Sequence, residues 1–588
     1  MSTNQPDTIT YHAMLVAWGQ FAQAIGFIQK IEAIDLRQKK VEPSPQTKIL
    51  EFLLSILAGL PHLQDLSRSA HSIDQDRAVA KAWNQANLAD YSGVSRTLSQ
   101  LSQAEADQTA RVIEQITKPI LAEEVMLALK QTGRLVYDGD LTDRPVSNTS
   151  TSYPGVAYGH MSDGIHLGYQ AAMVSLHSPT YDRFWLSVVD HPGDTVSCTQ
   201  AEALVQAAES QTGLCPLRRT DLLRQRLRAS ESEYEQLQAQ LAESQKTLLD
   251  AHLHRLEIQE LLVEQQIRLV QYESQYQEKQ RPERPCSALA KTRQKQMMRQ
   301  TQLTRSDKQL IKLEKRVKSD QLQKLICQAR ILRLRERLER FETENRTNPF
   351  PIEAVFRFDA GFGTRENVAW LIEMGYEVYT KPYSDWLTPR LKKETGPHTA
   401  WTRVGDNAEM VVWKARQFAD FPYPLDVGLE HFYTGKTQRY GTLIHFGSDQ
   451  VTTNLSDWFH RYNARQLIEA GIKEGKNVFT MHHLKVRSAP AIFLQEQFAI
   501  FAANFVRWAA RWLVQQSSNI PDRWQNVAQP KVKEQILVAA HTSAWVIWQD
   551  QGCLLTFTDQ SLYAGMSLSV KKQWAVQLPL PFSKNAFF

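Results

Sequence analysis

The sequence predicts an α/β protein with a mixed sheet, preceded by a helical domain and interrupted by a long antiparallel coiled coil and a β-rich insertion. Three observations predict it. Short apolar runs, several ending in Asp, alternate with helical stretches over 135–209 and 354–380. A stretch from about 222 to 344 contains no Gly and repeats apolar residues at 3-4 spacing. The first 130 residues carry helical periodicity in 12–34, 46–60 and 105–129.

The elements follow in order. Ala89–Leu101 reads as a short turn and a helix exposing Ser95, Arg96, Ser99 and Gln100, which suits a helix-turn-helix in a DNA major groove. Leu135–Thr142 is a strand, and period two puts Val136, Asp138 and Asp140 on one face. Gly168–Leu176 and Arg183–Asp190 are the next strands, and a helix of good formers runs from Thr199 to Glu209. Leu227, Tyr234, Leu237, Leu241 and Leu248 open the heptads, which resume at Leu310, Leu313 and Val317 and again at Leu334, Leu338 and Phe341. Pro282 and Pro285 break the run, so two helices fold back on each other. Their turn is basic: 279–318 holds thirteen Lys/Arg against three acids. Ala354–Asp359 is a strand closed by a Gly-rich turn, Thr364 caps a helix through Met374, and Gly375–Thr380 is a further strand. Trp401–Phe446 supplies a β-rich insertion with a hairpin at Thr434–Thr437. Gln495–Val514 is an apolar helix, and Ala544–Trp548 with Leu554–Phe557 forms a small β element of no evident task. The expected divisions are 1–130, 131–215, 216–348, 349–384, 385–455, 456–520 and 521–588.

Composition narrows the chemistry. At 588 residues and 42% hydrophobic content the chain can fill three or four cores. A net charge of +5 means that binding to polyanions must come from local patches. Five scattered cysteines give neither a disulfide framework nor metal-ligand spacing and fit a reducing cytoplasm. The start lacks a basic segment followed by an apolar one, and no run is expected to reach transmembrane length.

The most informative stretch is Tyr462-x2-Arg465-x3-Glu469-x6-Lys476. Helical spacing sets all four along one stripe, with one carboxylate among an aromatic hydroxyl and two cations. Such a face grips phosphate and offers a carboxylate to a metal. The spacing resembles the Tyr-Arg-Glu-Lys signature of a group of bacterial insertion-sequence transposases of the DDE class. That resemblance covers about 135–209 and 354–514, and it implies a ribonuclease H-like core with catalytic, metal-binding acids at Asp140, Asp359 and Glu469. Asp138 faces the same way as Asp140 and is a further candidate ligand; the Asp140-x-Thr142 pattern, which resembles the family's first motif, favours Asp140. Two Mg²⁺ (or Mn²⁺) ions are the implied cofactors, because three carboxylates and phosphate oxygens suit such hard cations. Tyr462, Arg465 and Lys476 would hold DNA phosphates, Trp458 a flipped-out base at a hairpin end, and Arg96 the terminal repeat. The implied partners are double-stranded DNA (transposon ends and target) and a second copy in a synaptic homodimer, with no membrane, in a cytoplasmic, nucleoid-associated bacterial enzyme. The coiled coil departs from the family's pattern and is expected to bind the partner subunit or distal DNA. The competing readings are a nuclease on the same core and a non-catalytic, transposase-derived scaffold.

Overall fold

The computed structural model describes residues 8–39, 42–280, 282–383, 387–435, 437–516, 520 and 532–571. They form two compact units, Met1–Leu217 with Asn348–Phe588, and Arg218–Thr347.

In the first unit, strand β1 (Thr8–Thr10) precedes α1 (Ala13–Ala24) and α2 (Phe27–Glu32). The single helix expected over 12–34 is thus two, parted where Gly26 takes a left-handed φ of 72°. Then come α3 (Pro45–Leu57), capped by the Ser44 side chain, α4 (Asp65–Arg68), α5 (Arg77–Ala82) and α6 (Tyr91–Ser99). Helix α7 (Gln103–Thr132) opens on a Ser102/Glu105 capping box and closes on left-handed Gly133.

The sheet begins with β2 (Arg134–Pro145), β3 (Ala157–Met161), β4 (Gly164–Ser178) and β5 (Asp182–Pro192), followed by α8 (Ala201–Thr212). Helices α9 (Thr220–Glu278) and α10 (Ala288–Thr347) make up the second unit. The chain resumes with β6 (Glu353–Arg357), α11 (Arg365–Glu373), β7 (Glu377–Thr380) and α12 (Leu387–Glu394). Strands β8 (Thr402–Gly405), β9 (Ala408–Arg416), β10 (Leu425–Thr434) and β11 (Thr437–Phe446) follow. Helices α13 (Leu455–Asn463), α14 (Gln466–Asn477) and α15 (Ala489–Gln516) precede a short α16 (Val532–Leu537) and β12 (Ala544–Gln549), β13 (Gly552–Phe557) and β14 (Ser567–Lys571).

Ten strands make one mixed sheet in the order β3-β4-β2-β6-β7-β11-β10-β9-β8, with β5 also on β4. Strand β2 is its pivot: it runs antiparallel to β4 (Asp140↔Met173) and parallel to β6 (Asp138↔Arg357). Strand β6 is parallel to β7, and β7 pairs antiparallel with β11 (Ile444↔Thr380). The β-rich insertion therefore extends the core sheet instead of standing apart. The hairpin expected at 434–437 joins β10 to β11, with Lys436 outside the described residues.

Helix α15 corrects one expectation. It is long and apolar enough to cross a membrane, but 78% of its apolar window is buried, as in the core helix of a soluble protein. Its Phe501 stacks on Phe27 and its Trp508 lies against Phe184, with ring centroids 4.9 Å and 5.6 Å apart. A second sheet, β1-β12-β13-β14, pairs the first described strand with the C-terminal ones.

In the hairpin unit, α9 and α10 lie antiparallel: Arg224 pairs with Glu342, Ser244 bonds Asp320, and Arg255 pairs with Asp307. Leu241, Leu310, Val317, Leu334 and Phe341 of the heptads are buried between them.

Candidate active site

Asp140 lies in β2, where alternation turns its side chain the same way as that of Asp138. Phe358 follows β6, its amide bonded to the Tyr379 carbonyl and its ring stacked between Phe356 and Phe362. Asp359 comes next and opens a single turn over Ala360–Phe362; Thr380 Oγ1 donates to its carbonyl. The first acid thus lies in β2 and the second just past the end of its parallel neighbour β6.

The Tyr462–Lys476 stripe is not one helix. The Arg465 amide bonds the Tyr462 carbonyl and the Ile468 amide bonds that of Arg465, so a tight three-residue turn parts α13 from α14 at Ala464–Arg465. Arg465 therefore sits at the junction and Glu469 in the first turn of α14. Three contacts fix α14. Arg183 of β5 donates to the Leu467 carbonyl, Arg507 of α15 pairs with Glu474 at 2.8 Å, and Lys476 pairs with Asp143 of β2.

Arg465 touches two of the three acids, and Asp359 lies near enough for its charge to act on it. Its Nη1 is 3.2 Å from Asp140 Oδ2, and its Nη2 pairs with Glu469 Oε1. Burial pushes the Asp140 carboxyl up to about 7; Arg465 opposes the rise, while the Asp359 and Glu469 carboxylates add to it. Burial also raises Asp359, again against the pull of Arg465. Arg465 itself is held above its ordinary value: burial works against its charge, but Tyr462, Asp140, Glu469 and Asp359 outweigh it. The Asp140 side chain is 13% exposed and that of Glu469 52%, so one acid is enclosed and one faces solvent.

This donor set suits a hard cation. It is all oxygen, carries more acids than its one guanidinium balances, and leaves Asp359 Oδ1 buried with no hydrogen-bond partner. As the side chains stand, no three His, Cys, Asp or Glu among the described residues converge closely enough to hold an ion. Arg465 bridges two of the three acids instead.

Several expected roles need correction. Both oxygens of Asp138 are taken by Arg357, at 2.6 Å and 2.7 Å, so it is an ion-pair partner and not a free ligand. Trp458 is fully buried in an apolar cluster with Met410, Leu443 and Val451 and has no face to offer a base. Tyr462 lies in the same cluster, 4% exposed, with its hydroxyl pushed up by burial. Lys476 is committed to Asp143, whose carboxyl, despite its burial, Lys476 and Ser162 hold down at about 2. Arg96 is exposed on α6 beside Ser95, Ser99 and Gln100, but residues 83–90 separate α5 from α6, which is longer than the turn of a compact helix-turn-helix.

The sequence reading missed Arg357 and Asp143, although strand alternation and the parallel register of β2 with β6 contain the first. It also missed Lys381, whose Nζ is 3.1 Å from Glu430 Oε2 and 5.3 Å from the Tyr462 ring centroid. An isolated Lys after a strand gives no pattern to find. Comparison with models of known protein families finds no match, and comparison with curated proteins finds none either.

Proposed function

We propose that this chain is a DDE transposase of the Tyr-Arg-Glu-Lys group, which cleaves transposon ends and joins them to target DNA. One observation carries the reading: Asp140 of a central strand and Glu469 of a late helix share one arginine, on which the charge of Asp359, just past the end of the parallel neighbouring strand, also acts. The strand order β5-β4-β2-β6-β7, in which β4 alone runs against the others, supports a ribonuclease H-like core. The antiparallel hairpin with its buried heptad residues supports the coiled-coil reading.

Asp140, Asp359 and Glu469 would hold two Mg²⁺ (or Mn²⁺) ions, which supply activation of the attacking oxygen and stabilisation of the leaving one. Arg465 exchanges its carboxylate partners for phosphate oxygens when DNA enters, a substitution that its planar fork suits. Tyr462 supports Arg465 from within the core, and Lys476, through Asp143, steadies the helix that bears Glu469. The partners are transposon-end and target DNA and a second copy of the chain, in the cytoplasm of a bacterium.

The bridging of Arg465 across two acids favours a second reading, a DNA-binding descendant in which that arginine replaces the metal. A labelled duplex carrying the inverted repeats that flank the gene, incubated with Mg²⁺, separates the readings. Nicked ends, end hairpins and strand-transfer products, all lost in Glu469→Gln, are expected. Cleavage without strand transfer would indicate a nuclease. Binding with no cleavage by either protein would indicate the scaffold.

A further inference from the structure

The hairpin unit separates its charge by helix. Helix α9 carries eleven Asp/Glu against six Lys/Arg, whereas α10 carries seventeen Lys/Arg against seven Asp/Glu. Pairs across the hairpin absorb part of the excess: Arg293 with Glu273 at 2.8 Å, Arg335 with Glu231 at 2.7 Å, and Arg330 with Glu233. The middle of α10 is left over. Arg305, Lys308, Lys312, Lys315 and Arg316 are all exposed, and among the described residues no ion pair engages them. Of α10's own acids along this stretch, Asp307 is taken by Arg255 at 2.6 Å, and on α9 Glu257 lies beside His254. Glu314 falls on the opposite side of the helix from Arg305, about 180° away at the α-helical pitch.

At that pitch the five cations lie within an arc of about 100° and a length of about 16 Å. A face kept basic only for solubility has no need to exclude acids from that arc, and i,i+4 acids would stabilise the helix if present. We infer that α10 binds a nucleic-acid backbone along Arg305–Arg316, as a second binding surface independent of the acidic site. Duplex DNA presents one charge per about 1.7 Å of axis, so a track of this length meets several phosphates. A bilayer fits less well. Residues 299–321 hold no aromatic side chain and a single exposed large apolar one, Ile311, so no apolar face accompanies the cations. The choice of DNA as the polyanion rests on the transposase reading; the cationic track does not.

The test is full-length protein titrated against a fluorescent duplex of arbitrary sequence from about 50 to 200 mM salt. It is repeated with Lys308→Gln/Lys312→Gln/Lys315→Gln/Arg316→Gln. The slope of log K against log salt is expected to become shallower by about 0.9 for each phosphate that the variant no longer neutralises, with affinity at low salt falling at least about tenfold. Replacing the three lysines by arginine is expected to keep the wild-type slope. An unchanged slope in the four-site variant, with helical circular dichroism intact, would overturn the inference. So would wild-type binding to phosphatidylglycerol vesicles in preference to duplex. Should the four-site variant lose helix, Lys312→Gln/Lys315→Gln carries the same test with about half the slope change, and no change overturns the inference. Cleavage with an unaltered slope defeats this inference alone; an altered slope in a protein that never cleaves defeats the transposase reading alone.

Discussion

At the scale of single residues, burial and the nearest opposite charge decide what each acid does. Asp138 and Asp140 are two positions apart on one face of β2 and are indistinguishable by periodicity. Arg357 neutralises Asp138 with two hydrogen bonds, whereas Asp140 shares one guanidinium with Glu469 and burial pushes its carboxyl up to about 7. A simpler case lies far from the site. Glu51 is buried under α6, with one oxygen accepting from the Ala89 amide and the other unpartnered. Burial raises its carboxyl from 4.5 to about 8, with Asp74 and Asp90 adding to the rise. Between those values the folded state binds the proton that the unfolded chain releases. The stabilising contribution is therefore complete below about pH 4.5 and is lost as pH rises through about 8. Glu51→Gln keeps the acceptor and removes the titration. Its melting temperature should fall less than that of the wild type between about pH 6 and 9, and equal falls would count against this assignment.

At the scale of elements, a few close approaches set the geometry. A Cβ at Gly139 would overlap the Phe358 ring, which precedes Asp359, so β2 and the end of β6 approach through that glycine. Gly139→Ala is expected to cost about 1–3 kcal/mol in denaturant unfolding. Phe358→Leu in the same chain should recover part of that cost, and strict additivity of the two changes would contradict the close approach. In the hairpin, Asp320 is buried and accepts from Gln240 at 2.8 Å and Ser244 at 2.7 Å. Asp320→Ala leaves both donors without a partner, which costs about 1–3 kcal/mol. Faster amide exchange in 237–248 and 316–324 than in the wild type would show it; unchanged rates would contradict it. The α13–α14 junction carries the other lesson. No Gly or Pro marks it, and Tyr462, Arg465 and Glu469 keep helical spacing in the sequence across it. The sequence pattern therefore reads through a break that places Arg465 among the acids.

At the scale of the molecule, the positions of strands and long helices were legible and their partnerships were not. Short apolar runs located β2, β4, β5, β6 and β7, and heptads with two prolines located α9 and α10. Nothing in Thr8–Thr10 indicates that it pairs with Ala544–Gln549, or that β11 closes on β7, because pairing over such separations depends on tertiary packing. Of the candidate site, Arg465 and Glu469 were readable from spacing, whereas Asp140 and Asp359 were singled out by the family resemblance. The burial of Trp458 and Tyr462 was not, since an aromatic on an amphipathic helix looks alike whether it faces core or ligand. The central claim is that three acids from three elements act as one metal site. Mn²⁺ binding in the presence of duplex DNA, followed by electron paramagnetic resonance, tests it most directly. Wild type and the exposed control Glu366→Gln should bind alike, while Asp140→Asn, Asp359→Asn and Glu469→Gln should each weaken binding by at least about tenfold, as removing a ligand of a shared site does. Equal binding by all five proteins would contradict the account.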